Sequence, residues 1–205
     1  MSPLLLAALL VGTAAAAGVL RSQPVKGVCS DPASQEAGYF TIASGTKHYF
    51  YYMASSRSNP ATDPVVLWQT GGPGCSSMLA AFTENGPCLV PETGPDAGKA
   101  VYNPYAWNSN ATVIWLDQPA GVGFSWGTEN DKDEAGAAKD AYDFLQAFFK
   151  AHSSLQALPF FIVGESYGGH VSSSSSPPPS PSLPSPLTTL PSFPLFFVVH
   201  SCAVL

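Results

Sequence analysis

Hydrophobic and polar residues fall along this chain in runs of two periods. Gly38-Tyr-Phe-Thr-Ile42 and Lys47-His-Tyr-Phe-Tyr-Tyr-Met53 are aromatic and β-branched stretches separated by Ala-Ser-Gly-Thr, a hairpin signal. Asp63-Pro64 breaks the chain ahead of Val65-Val-Leu-Trp68, a short apolar run of the buried-strand kind. Ala111–Leu116 and Phe160–Val163 repeat that pattern. Between those two the period lengthens. Ala138, Ala141, Tyr142, Leu145, Phe148 and Phe149 recur at three- and four-residue steps, which predicts a helix from about Asp131 to Ala151. Asp131, with Glu134 three residues on, suits its start. Strand, crossover helix and strand predict a parallel βαβ unit covered on both faces, within a mixed α/β sheet that opens with a hairpin.

The two ends read differently. Leu4 to Gly12 is a short apolar core, followed by Thr13 and small residues including Ala14-x-Ala16, the pattern of a secretory signal peptide over residues 1–17. It is shorter than the roughly 20 residues a membrane-spanning helix needs, so no stable membrane insertion is expected. A buried apolar strand or helix is the competing reading. Asn110-Ala-Thr112 is an N-glycosylation acceptor, in keeping with secretion, although a match of three residues often arises by chance. From Ser172 the text becomes Ser/Pro-rich, and no Asp, Glu, Lys or Arg occurs after Glu165. Such a tract cannot bury enough apolar surface to offset its ordering entropy. Residues 172–205 are therefore expected to be a disordered tail outside the fold, leaving 18–171 as the folded part. Cys202-Ala-Val-Leu205 matches a prenylation box, but a secreted chain never meets that cytosolic machinery. A lipid-anchor signal is a second, weaker match to the same tail.

Charge narrows the function classes. The chain carries 14 acidic against 8 basic residues, net −6, so it lacks the basic footprint of a nucleic-acid-binding protein. Its four cysteines, Cys29, Cys75, Cys88 and Cys202, are too few for a disulfide-built miniprotein. No Cys/His cluster has metal-ligand spacing, so neither a metal nor another cofactor is implied.

Gly164-Glu-Ser-Tyr-Gly168 directly follows the apolar run Phe160–Val163. Gly-x-Ser-x-Gly in that context is a nucleophile elbow, whose glycines permit the tight strand-to-helix turn that lifts the Ser166 hydroxyl above the sheet edge. Thr70-Gly-Gly-Pro-Gly-Cys-Ser-Ser77 also follows a strand. Its glycines would let backbone N–H groups approach a developing oxyanion. A plain tight turn explains this segment about as well; a phosphate loop does not, because Gly-Lys-Ser/Thr is missing.

Together, Gly71-Gly-Pro-Gly-Cys-Ser-Ser77, Trp115-Leu-Asp-Gln-Pro-Ala-Gly-Val-Gly-Phe-Ser125 and Gly164-Glu-Ser-Tyr-Gly-Gly-His170 resemble the serine carboxypeptidases. Glu84-Asn-Gly-Pro87 and Asp143–Phe149 extend the match, which covers about Gly38 to His170. The resemblance implies an α/β-hydrolase fold, here truncated, with strands only up to the elbow. It also implies a secreted or vacuolar/lysosomal peptidase that acts on peptide C-termini. Ser166 would be the nucleophile, and the backbone N–H groups of Gly72 and Tyr167 the oxyanion hole. Glu165, assisted by Gly71, would bind the substrate carboxylate in its protonated form, sharing a proton with Glu84. Two adjoining carboxyls do not both ionise cheaply, which suits carboxylate binding at acidic pH.

Departures matter too. The family commonly has Asn where Thr70 stands, contacting the substrate carboxylate; a plant- and algal-like branch carries Thr. Cys75 would bridge to a cysteine much further along, in sequence not found here. Cys29 and Cys88 are candidates to pair with each other, a point that spacing leaves open. His170 is expected to pack beside the elbow helix, and His48 and His152 read as surface or packing residues. The elbow fold orders its triad Ser, Asp or Glu, then His, yet after Ser166 come no acid and only His170 and His200. The 205 residues alone are therefore expected to be inactive. An acyltransferase on the same scaffold and a non-catalytic partner-binding protein are the rival readings. Nothing in these motifs specifies an oligomeric state.

Overall fold

The computed structural model describes residues 18–42, 45–127, 133–174 and 196–200. The expected leader over residues 1–17, Asp131 at the expected helix start, and residues 175–195 and 201–205 of the tail lie outside them.

Eight of the described strands form one sheet, and its order follows from which residues tolerate burial. Strands β1 (Gly18–Val25), β2 (Gln35–Ile42) and β3 (Lys47–Ala54) form an antiparallel meander at one side. The pair β2–β3 is the hairpin that the aromatic runs predict. β1 was not legible; it lies at the edge, exposed from Arg21 to Pro24, and a proline is what an edge strand tolerates. Next come β7 (Thr112–Leu116), β4 (Val65–Gln69) and β9 (Phe160–Glu165), with β3 antiparallel to β7 and the rest parallel. All five residues of β4 and of β7 are buried, which is what a continuous apolar run encodes. A short strand, β8 (Trp126–Gly127), adds to β3, while β5 (Cys88–Leu89) and β6 (Val101–Tyr102) pair separately.

The helix α2 (Glu134–Ala151) is the expected crossover, but β4 lies between the two strands it connects. Its N-cap is Asp133, whose carboxylate accepts the Gly136 N–H. Phe144, Leu145, Phe148 and Phe149 pack against Phe40, Tyr51, Leu67 and Phe160 on one face of the sheet. The other face carries Trp68, Val113, Trp115 and the short helix α1 (Met78–Thr83) through Ala80 and Ala81. A buried ion pair fastens α2 to the sheet: Lys47 Nζ lies 2.6 Å from Asp140 Oδ2, which also accepts from Tyr49 Oη at 3.0 Å. Such a pair costs desolvation and offsets it through its hydrogen bonds. Cys29 and Cys88 are disulfide-bonded across a sequence separation of 59. A closed loop of that size is worth about 4 kcal/mol on chain-entropy grounds.

The tail departs from expectation in one place. Phe196–His200 forms a strand, β10, parallel to β9, instead of lying outside the fold. Phe-Phe-Val-Val is a β-forming run, and without it β9 would present an unpaired apolar edge. The described fold also continues slightly past Val171, since helix α3 spans Gly168–Ser174. Among the described residues, no helix is long and apolar enough to cross a membrane.

Candidate active site

Strand β9 ends at Glu165, α3 begins at Gly168, and the turn between them holds Ser166 at φ +52°. Among the described residues this is the sole non-glycine with positive φ. A non-glycine there costs on the order of 1–3 kcal/mol, so its neighbours must hold it. They do so by leaving no room for side chains. A Cβ on Gly164 would stand 2.5 Å from Gly169 N, and one on Gly168 would run into the Gln69 carbonyl. Both glycines of Gly-x-Ser-x-Gly are thus fixed by close backbone approach, and the Ser166 side chain is left exposed.

The loop after β4 lies directly against this turn. A Cβ on Gly71 would sit 2.5 Å from Tyr167 N, 2.7 Å from Glu165 O and 3.0 Å from Ser166 Cβ. Gly71, Glu165, Ser166 and Tyr167 are therefore one contact group. Gly72 is next in chain, exposed and at φ +114°. Thr70 donates its N–H to Ser77 Oγ at 3.1 Å, while its own Oγ1 accepts from Trp68 Nε1 at 3.0 Å. Cys75 is a thiol here, its N–H donating to Gly71 O at 3.0 Å.

The charge of Glu165 reaches the carboxyl of Glu84. Burial raises Glu84 above the ordinary carboxylate range, and the charge of Glu165 raises it further. Glu165 itself has a buried Oε2 without a hydrogen-bond partner. Asn85, beside Glu84, accepts from Trp115 Nε1 at 2.9 Å.

Of the remaining expected residues, only His170 touches this group. Asn110 is exposed at the end of a short helical turn. His48 shares a hydrogen bond with Thr41 Oγ1 and stacks on Trp126, with ring centroids 3.7 Å apart. His152 Nε2 pairs with Glu36 at 3.0 Å. His170 is exposed, its ring 4.7 Å from that of Tyr167 and its Nδ1 3.7 Å from Glu134 Oε1.

Sequence reasoning missed three participants. Asp117 is fully buried, and its carboxylate gathers the loop through Ser76, Ser77 and Phe124. Gln118 and Glu134 border a cleft of about 180 Å³ beside the elbow, whose rim includes Gly71 and Tyr167. Asp117 and Gln118 stood in a quoted motif without a role, and Glu134 read only as a helix-start residue. The cleft joins four segments far apart in sequence, so no local pattern could announce it.

Three comparisons bear on this geometry. The family model described as serine carboxypeptidase matches residues 26–174. Carboxypeptidase Y of Candida albicans is 45% identical over 151 residues, which is 74% of this chain and 27% of that protein. The vacuolar serine-type carboxypeptidase ATG42 of Saccharomyces cerevisiae is 47% identical over 140 residues, covering 68% of this chain and 27% of that one. Among solved structures, the prohormone-processing carboxypeptidase Kex1(delta)p of Saccharomyces cerevisiae superposes with a TM-score of 0.62 at 27% identity. That match covers 72% of this chain and 34% of that one. The chain spans about a quarter of the length of the curated relatives it matches.

Proposed function

The chain belongs to the serine carboxypeptidase family, and from that premise we propose that it supplies the nucleophile-bearing part of an enzyme releasing C-terminal residues from peptides. The observation that carries the reading is the elbow itself. Ser166 is held exposed at positive φ, with Gly71 packed against its back. Its hydroxyl oxygen would attack the scissile carbonyl carbon and form an acyl-enzyme that water then cleaves. The N–H groups of Gly72 and Tyr167 would receive the oxyanion. Glu165, Gly71 and Thr70 would take the substrate's terminal carboxylate. Glu84 would share a proton with Glu165, a role supported by the upward shift of Glu84. A neutral carboxylic acid donates a hydrogen bond where a carboxylate would repel. The same reading places the protein in the secretory pathway or a vacuolar lumen, with Asn110 as a glycan acceptor.

Activity also needs a base. No Asp or Glu follows Ser166, and a serine hydroxyl without a base is a weak nucleophile. Removal of a triad member leaves a residual advantage over water of only ~10³–10⁴. The 205 residues alone should therefore hydrolyse a blocked dipeptide negligibly at acidic pH. The enzyme that carries this segment with its acid and histidine should do so readily and label at Ser166 with a fluorophosphonate. Substitution Ser166→Ala should remove both. An active, fluorophosphonate-sensitive enzyme labelled at a different serine would overturn the reading.

A further inference from the structure

We infer that Asn103 is a positioning residue: with Arg57 behind it, it clamps the backbone of Glu84–Pro87 and so keeps the Glu84 carboxyl within reach of the Glu165 charge. As a role in binding the substrate carboxylate it rests on the peptidase reading above. Residues 84–87 lie between α1 and β5 and belong to no helix or strand, yet each of their carbonyls is held. Asn103 Nδ2 donates to Gly86 O at 2.9 Å and to Glu84 O at 3.5 Å. The Trp107 N–H donates to Asn85 O at 2.9 Å, and the Asn103 N–H to Pro87 O at 3.0 Å. Arg57 Nη2 is a second donor to Pro87 O, at 3.2 Å. Asn103 thus supplies three of these five hydrogen bonds. A Cβ on Gly86 would run into the Ala81 carbonyl, so α1 closes the segment in from its other side.

The clamp is itself anchored. Asn103 is 1% exposed; its Oδ1 accepts the Tyr105 N–H at 2.9 Å, and its carbonyl accepts from Arg57 Nη1 at 2.8 Å. Arg57 Nε donates to the fully buried carboxylate of Asp31 at 2.7 Å, and Nη2 donates to the same oxygen. Its guanidinium lies 4.3 Å from the centre of the Tyr102 ring. A planar guanidinium with so many fixed donors has little freedom to turn. The restraint matters because the charge of Glu165 opposes ionisation of Glu84. Like charges repel more strongly as they approach, so an unrestrained segment would carry Glu84 away from Glu165 and relieve the pair. Donors that meet carbonyl oxygens oppose that drift without drawing on the carboxyl itself.

The test follows the Glu84 titration by carboxyl ¹³C shifts in the 205-residue chain, with and without Glu165→Gln. Asn103→Ser keeps an acceptor for the Tyr105 N–H, as in Ser/Thr turns, but removes the amide that joins Glu84 to Gly86. The drop in the Glu84 midpoint on Glu165→Gln should then shrink by roughly half or more, as the two groups separate. Arg57→Lys keeps a positive charge beside Asp31 but loses the fork, and should shrink the drop by less. It decides alone if Asn103→Ser fails to fold. The Glu36 midpoint, set by burial and by Ser22, Tyr51 and His152, should stay in place in both variants. A role confined to overall stability would lower the urea midpoint and leave the Glu84 drop unaltered. An equal drop in parent and variants, no drop in the parent, or a Glu36 midpoint that moves in step would each overturn the assignment. Failure of the peptidase reading would instead emerge as absent labelling at Ser166, with the drop and its dependence on Asn103 intact.

Discussion

Asp117 holds Ser77 in place: its buried Oδ1 accepts the Ser77 N–H at 2.9 Å and the Ser76 hydroxyl at 2.6 Å. The second oxygen accepts the Phe124 N–H at 2.9 Å, so one carboxylate joins the loop after β4 to the loop after β7. Burial pushes this carboxyl above its ordinary range, and its hydrogen bonds only partly oppose that. Asp117→Ala strands several donors at once, each costing about 1–3 kcal/mol when buried and unpaired. The expected loss is about 3 kcal/mol or more, read as a fall in the urea midpoint with unchanged slope. Asp117→Asn, which keeps one acceptor oxygen, should lose less.

Gly71 faces the elbow so closely that even a methyl is excluded. Its Cβ would meet backbone atoms of Tyr167 and Glu165, which do not swing aside as a flexible side-chain end would. Gly71→Ala should therefore push the loop away from Ser166, at a cost of about 1–3 kcal/mol for overpacking. Amide NMR should place the largest shifts at residues 165–168. A spectrum perturbed only at residues 70–72 would mean that the two loops are not packed together.

These contacts mark what the sequence could and could not disclose. The buried strands β4, β7 and β9 were legible because each holds four consecutive apolar residues, a short run of the buried-strand kind. The elbow was legible because its glycines follow from local backbone geometry. β1 was not, since Arg21, Ser22, Gln23 and Pro24 show no alternation and take their strand form from pairing with β2. β10 was hidden by the Ser/Pro composition around it, although the run Phe-Phe-Val-Val has strand character by itself. Asp117 and Gln118 were visible as letters of a motif, but their roles come from burial, which is a tertiary property.

Glu36 predicts a pH-dependent anchor for β2 against the end of α2. Its carboxylate is partly buried, which alone would raise its pKa. Hydrogen bonds from Ser22 and Tyr51 and the nearby His152 together outweigh burial and hold it below the ordinary 4.5. A depressed pKa contributes stability that is present above about 4.5 and lost as pH falls through the folded value. Glu36→Gln should thus lower the thermal midpoint at pH 6, by an amount on the order of one net hydrogen bond, about 1 kcal/mol. As pH falls below 4.5 the gap between the two proteins should shrink. A constant gap across that range would assign the effect to packing instead of charge.

Glu84 has the opposite sign. Burial and then the Glu165 charge raise it above 4.5, so the folded protein binds this proton more tightly than the unfolded chain does. A raised carboxyl therefore imposes no penalty well below 4.5 and an increasing one as pH rises through the folded value. Glu84→Gln removes the ionising group, and the variant should gain on the parent steadily from pH 4 to pH 7. Glu165→Gln tests the cause. The Glu84 titration, followed by carboxyl ¹³C shifts, should move down toward 4.5 but stop short of it, because burial is the larger contribution and remains. A Glu84 midpoint indifferent to Glu165 would remove the support for a shared proton, and with it the mechanism by which a pair of acids would greet a carboxylate.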